Sequence, residues 1–215
     1  MRKIFLASAT LALSIQLSFS QTWDSMGCGI TGSSGHSVYT IEADSIHDWI
    51  FAGGNFDSAG CKEIFAAAYW DGADWHGTGQ PYNAIFYDFC LYNGEVYAAK
   101  NNAVVKLQDT SWVLVGSCSG DAHCLKVFND KLIAGGEFSK INSTTVHYIA
   151  QYDGSTWSPI GNGFTGLDHD VESLAVFNGE LIAGGFFDTE FGDTTQLNNI
   201  AWWDGTKWQP LTGGI

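Results

Sequence analysis

"LIAGGEFSKINSTTVHYIAQYDGSTW" fills residues 132–157, and "LIAGGFFDTEFGDTTQLNNIAWWDGTKW" fills residues 181–208. Both contain a Gly-Gly pair, an aromatic-Asp-Gly triplet and a closing Trp, and they differ freely in between. Read from residue 171, the second copy resolves into four short segments. "VESLAVF" is an apolar, β-branched run, and Asn178-Gly179 after it is a two-residue hairpin signal, because both turn positions want positive φ. "ELIAGGFF" is a second run, whose Gly184-Gly185 leaves room for a neighbouring backbone. After a polar stretch come "NNIAWWD", the Asp204-Gly205 turn and "TKWQPL". Four antiparallel strands joined by tight turns at the first and third connections form one blade of a β-propeller.

The same plan recurs along the chain. Unit-closing tryptophans stand at Trp23, Trp75, Trp112, Trp157 and Trp208, in steps of 52, 37, 45 and 51 residues. That period suits a propeller blade and is too long for a leucine-rich repeat. The reading is an all-β propeller over residues 21–215, with repeats at about 24–75, 76–112, 113–157 and 158–208. The second unit is worn: it keeps Asn93-Gly94 but lacks the glycine pair. The tryptophans are expected between adjacent sheets. The variable second-to-third connections, 57–63, 139–146 and 188–197, are expected on one face, where a binding protein carries its contacts.

A second strand ending in Gly-Gly, then an aromatic residue and a Trp near the end of the unit, resembles the kelch repeat. The wording "LIAGG-F…IA-WDG-TW-PLG-G" is closer to kelch-like repeats of secreted bacterial proteins, including those exported through a C-terminal sorting domain, and of Rax2-like surface proteins. The resemblance spans nearly all of the chain after residue 20. It implies a fold, and propellers of this type serve many functions.

The first 20 residues have the form of a cleaved secretory signal: Arg2 and Lys3, a short apolar run, then small residues at Ser18 and Ser20. The mature chain is expected to be secreted or at the cell surface, with no membrane span after cleavage. The formal charge is −14, and −16 once Arg2 and Lys3 are left out. So acidic a chain repels phosphate backbones, which excludes nucleic acid as a partner and leaves a protein or glycan. In an oxidising compartment its five cysteines can pair, and Cys118 and Cys124, flanking "SGDAH", are the candidate disulfide.

Motifs for chemistry are sparse. A sialidase needs arginines for its substrate carboxylate, and none follows Arg2. No CxxC pair exists and the histidines are scattered, so no metal centre or catalytic set is assigned. Asp168, His169, Asp170 and Glu172, with Asp121 and His123 one unit earlier, form a loop-face cluster whose carboxylates could take Ca²⁺, although a solvated acidic loop is the simpler reading. Phe164 and Phe191 are candidate contact aromatics. The leading functional reading is a non-catalytic binding module, and the alternative is a domain of a secreted oxidase or carbohydrate-active enzyme. Finally, "QTWDSMGCG" matches a fourth-strand pattern. Five fourth strands against four sets of the other three predict an incomplete propeller with a lone N-terminal outer strand and at least one further repeat in the parent protein.

Overall fold

The computed structural model describes residues 26–32, 36–81, 83–166 and 169–211. The segment read as a signal peptide, together with Trp23, lies outside them. All regular structure among the described residues is β, dominated by four four-stranded antiparallel sheets, each a meander in chain order. Sheet I comprises Ser37–Asp44, Trp49–Asn55, Ala67–Trp70 and Trp75–Gly77. Sheet II comprises Phe86–Tyr92, Glu95–Lys100, Ala103–Gln108 and Ser111–Ser117. Sheet III comprises Ala122–Phe128, Lys131–Gly136, Ile149–Tyr152 and Trp157–Pro159. Sheet IV comprises Asp170–Phe177, Glu180–Phe186, Ile200–Trp203 and Trp208–Pro210. Their first strands touch in succession, I on II, II on III and III on IV, which is a propeller-like arrangement.

Local chemistry accounts for the strand ends. Asn93-Gly94, Asn129-Asp130 and Asn178-Gly179 all have positive φ at both residues, as a two-residue hairpin that follows the strand twist requires. At the third hairpin, Asp71, Asp153 and Asp204 each turn one carboxylate oxygen onto the backbone N–H groups two and three residues on. Those bonds, joined and led at Asp204 by the Gln209 amide, hold each carboxyl below the usual range, that of Asp71 at about 2.

The hydrophobic core is divided into layers between neighbouring sheets. Phe51 and Ala67 of sheet I meet Phe86, Phe89 and Val96 of sheet II. Tyr97 and Val104 of sheet II meet Leu125, Leu132 and Trp157 of sheet III. Ile133 and Ile149 of sheet III meet Val171, Leu181 and Trp208 of sheet IV. The unit-closing tryptophans tie each sheet to the segment before it. Their indole N–H groups donate from Trp75 to Met26 O, Trp112 to Thr78 Oγ1, Trp157 to Val115 O and Trp208 to Ile160 O, at 3.0, 2.9, 3.1 and 3.3 Å. In each case the acceptor stands three residues after the preceding unit's tryptophan, so Met26 occupies the place that follows from counting Trp23 as one of the series.

The second-to-third connections carry buried anchors within their polar sequence, and the expected disulfide is corrected. Ala59, Ile141, Val146 and Leu197 are buried in them, and Phe56 and Ile64 at the edges of the first. They fold into small hairpins or pair with the incoming link, as Ser58–Ala59 does with Ile30–Thr31 and Thr189–Glu190 with Phe164–Thr165. The disulfide joins Cys28 to Cys61, pinning the N-terminal segment to one of these hairpins, while Cys118 and Cys124 are free buried thiols. Cys124 faces the Val171 carbonyl of sheet IV and Cys118 the Gly116 carbonyl of the strand just before it, so each thiol serves a different layer. Closing a loop of this size stabilises the folded chain by about 3–4 kcal/mol.

Candidate functional site

Every first strand carries a β-bulge near its start. The register slips between Val38 and Thr40, Phe86 and Asp88, Ala122 and Cys124, and Val171 and Ser173. The extra residues are Tyr39, Tyr87, His123 and Glu172, one per sheet at equivalent positions. A bulge re-aims a side chain that regular alternation would send elsewhere. The glycine pairs lie opposite. In sheets I, III and IV, a Cβ on Gly54, Gly136 or Gly185 would collide with the carbonyl of Ser37, Asp121 or Asp170, just ahead of the bulge. Sheet II bulges with Ala99 and Lys100 in place of the pair. The glycine therefore answers to the closeness of that carbonyl in the other three sheets.

The four bulged residues form a row across the sheets. Tyr39 stacks on Tyr87 with ring centroids 6.0 Å apart, and Tyr87 lies 4.9 Å from the His123 ring. His123 Nδ1 sits 3.5 Å from Glu172 Oε2 and 3.2 Å from Asp170 Oδ1, and Nε2 is 4.0 Å from Glu137 Oε1. The Tyr87 hydroxyl donates to Asp121 at 2.7 Å, and Asp121 also accepts the Asn102 N–H. The row lies at the end of the sheets from which the second-to-third connections depart.

The site sets one imidazole among three carboxylates, with a fourth, Asp121, on the neighbouring Tyr87. Burial alone would lower the His123 pKa, but Asp170, then Glu172 and Glu137, outweigh it and raise it. Glu172 is also raised, by burial and by the neighbouring Asp170. Burial and the Asp121 carboxylate push the Tyr87 hydroxyl up, so it stays a donor. Tyr39 and Glu172, at the two ends of the row, are each about half exposed, whereas Asp170 beside His123 is 5% exposed.

Of the residues read from sequence, His123 meets Asp170 and Glu172 directly, and Asp121 joins them through Tyr87. His169 stands apart against Tyr148, and Phe191 against His147, with centroids 5.2 and 3.9 Å apart. Asp168 lies outside the described residues. Phe164 is not a surface contact: it is wholly buried, stacked on Phe187 and packed against Trp208. Sequence reasoning did not single out Tyr39, Tyr87 and Glu137. Alignment on the first turn would have placed Tyr87 in the His123 column, six residues before Asn93 as His123 is before Asn129, but the longer turn of the first unit shifts Tyr39, and a bulge leaves no trace in an alternating pattern. A groove of about 310 Å³ lined by His47, Trp49 and Phe51 lies at the opposite, tight-turn end.

No protein-family model matches the chain, and no curated protein matches it. Among solved structures, the chain is similar to the extracellular domain of a one-component system from B. thetaiotaomicron, with a TM-score of 0.59 and 13% identity. The match covers 87% of this chain and 23% of that one, so the chain spans less than a quarter of the neighbour's length. Likeness at such identity is one of fold.

Proposed function

We propose that the four sheets are consecutive blades of a secreted, kelch-like β-propeller that works as a non-catalytic recognition module, holding a neutral cell-surface glycan on its bulged end. The observation that carries this reading is the row of bulged residues. Four sheets spend the same irregularity on presenting Tyr39, Tyr87, His123 and Glu172 side by side. The half-exposed Tyr39 ring offers a face for a sugar ring, and the exposed carboxylates of Glu172 and Glu137 accept hydroxyls. The Cys28–Cys61 disulfide and the extracellular neighbour support an exported location. Further blades fit as well: Ile41 and Phe177, on sheets I and IV, are 68% and 67% exposed at positions that sheet II buries.

Titration of the protein with a panel of neutral oligosaccharides tests the reading. Tyr39→Ala and Glu172→Gln should each weaken the bound glycan at least tenfold. Binding untouched by both changes, or seen only with peptides, would remove the glycan assignment. The raised His123 and Glu172 favour a second reading, an enzyme domain with acid–base groups at this end. Hydrolysis of a bound glycan that His123→Ala abolishes would favour that reading over the first.

A further inference from the structure

We infer that His123, Asp170 and Glu172 form a binding site for a divalent first-row transition ion, with Zn²⁺ the best fit. This inference goes beyond the recognition reading and stands on the cluster alone, whatever ligand the face takes. The three residues each offer one ligand atom, and these atoms all lie within 4.8 Å of one another.

Separations from the nitrogen decide the geometry. Nδ1 lies 3.2 Å from Oδ1 and 3.5 Å from Oε2. Donors bonded to zinc at about 2.0–2.1 Å in a tetrahedron stand about 3.3–3.4 Å apart. The two contacts bracket that edge length. With His123 protonated the shorter contact is an ion pair, but both atoms are buried and neither has a hydrogen-bond partner of good geometry. A divalent ion between them would take the place of that proton and satisfy both atoms at once. Asp170 is 5% exposed, so water reaches it poorly.

The donor set selects the ion. Ca²⁺ takes six to eight oxygens, and here an imidazole nitrogen occupies the centre of the set. One nitrogen with two carboxylates suits Zn²⁺ or its first-row neighbours, and the two negative charges match a divalent ion. On the far side of the ring, Nε2 faces Glu137 at 4.0 Å, close enough for a bridging water. A carboxylate on the second ring nitrogen is the usual outer support of a metal-bound histidine. The bulges explain how the set assembles, since they turn His123 and Glu172 toward each other from adjacent sheets.

Calorimetric titration of the purified, metal-stripped chain with Zn²⁺ at neutral pH tests the inference. One equivalent should bind at micromolar or better affinity, and the thermal midpoint should rise. His123→Ala and Glu172→Gln should each weaken binding at least tenfold. Glu172 is exposed enough that its variant should fold even where Asp170→Asn does not. His76→Gln, which disturbs the exposed His76–Asp71 pair in sheet I, should leave the equivalent intact. The inference is overturned if no stoichiometric binding occurs up to millimolar Zn²⁺, if binding survives His123→Ala, if it is lost in His76→Gln, or if Ca²⁺ binds more tightly than Zn²⁺.

Discussion

Asp88 shows how much one side chain does between these sheets. It sits in the first strand of sheet II and accepts from Thr40 Oγ1 in sheet I at 3.1 Å and from the Leu125 N–H in sheet III at 2.8 Å, as well as from its own neighbour Phe89. Burial raises its pKa despite those bonds, so the carboxylate serves its donors at some cost in desolvation. Asp88→Ala would strand a buried N–H and a hydroxyl at once, and each unsatisfied group costs about 1–3 kcal/mol. We expect a loss of about 2–4 kcal/mol for Asp88→Ala and a smaller one for Asp88→Asn, which keeps one acceptor oxygen, both read from urea midpoints. A parent-like midpoint for Asp88→Ala would show that the tie between the three sheets is not formed. Thr40, Asp88, Cys124 and Ser173 all follow the bulge at equivalent positions, yet only Asp88 bridges in both directions. That single substitution within a repeat column is why no pattern in the sequence announced it.

The hairpins and the connections between them divide by how openly their chemistry is written. Asn-Gly and Asp-Gly turns are local, so the chain displays them, and the strands read from sequence lie where the structure has them. The second-to-third connections are governed by distant partners. They read as polar stretches, but Ile141 and Val146 are fully buried, and Ile141 packs with Trp157 of sheet III. The fate of Phe164 and the pairing of Cys28 with Cys61 rest likewise on contacts across the fold, which composition cannot show. At the candidate site the chemical types were legible, in His123 and Asp170, but their union depends on two bulges in adjacent sheets. Tolerance to insertion should follow the buried anchors and not polarity. Four Gly-Ser residues between Asn142 and Ser143, at an exposed hairpin tip, should cost under about 1 kcal/mol, because lengthening a loop adds little closure entropy. The same insert between Ile141 and Asn142 pulls a buried side chain from its layer and should cost about 2–4 kcal/mol. Equal midpoints for the two inserts would contradict the hairpin as described.

Across the whole molecule, the first and last sheets differ from the middle ones in what covers them. Position by position, Ile41 in sheet I corresponds to Phe89 and Leu125, which are 3% and 4% exposed, while Ile41 is 68% exposed. Phe177 in sheet IV corresponds to Tyr92, which is 2% exposed, while Phe177 is 67% exposed. A Cβ on Gly53 would meet the Phe89 ring of the following sheet, and one on Gly135 would meet Val171, but at Gly184 only Ser173 Oγ and a backbone oxygen come near. Sheet IV thus presents the surface that sheets I and III present to their successors, and sheet I presents the surface that accepts it. Two copies can therefore meet head to tail, sheet IV of one on sheet I of the next, and such a contact does not stop at a dimer. Burying a large apolar side chain yields about 1.5–3 kcal/mol, so Ile41, Phe177, Phe186 and Ile200, each already partly covered, supply roughly 4–8 kcal/mol together. Association costs about 4–15 kcal/mol in lost freedom, so the contact should be weak and concentration-dependent. Light scattering behind a sizing column should show the average mass of the chain rising between about 10 and 500 μM, where such weak contacts populate. The triple change Ile41→Thr, Phe177→Ser and Ile200→Thr should return it to monomer without lowering the urea midpoint, since these side chains already meet solvent. A parent chain that stays monomeric throughout would mean that the two faces do not fit each other.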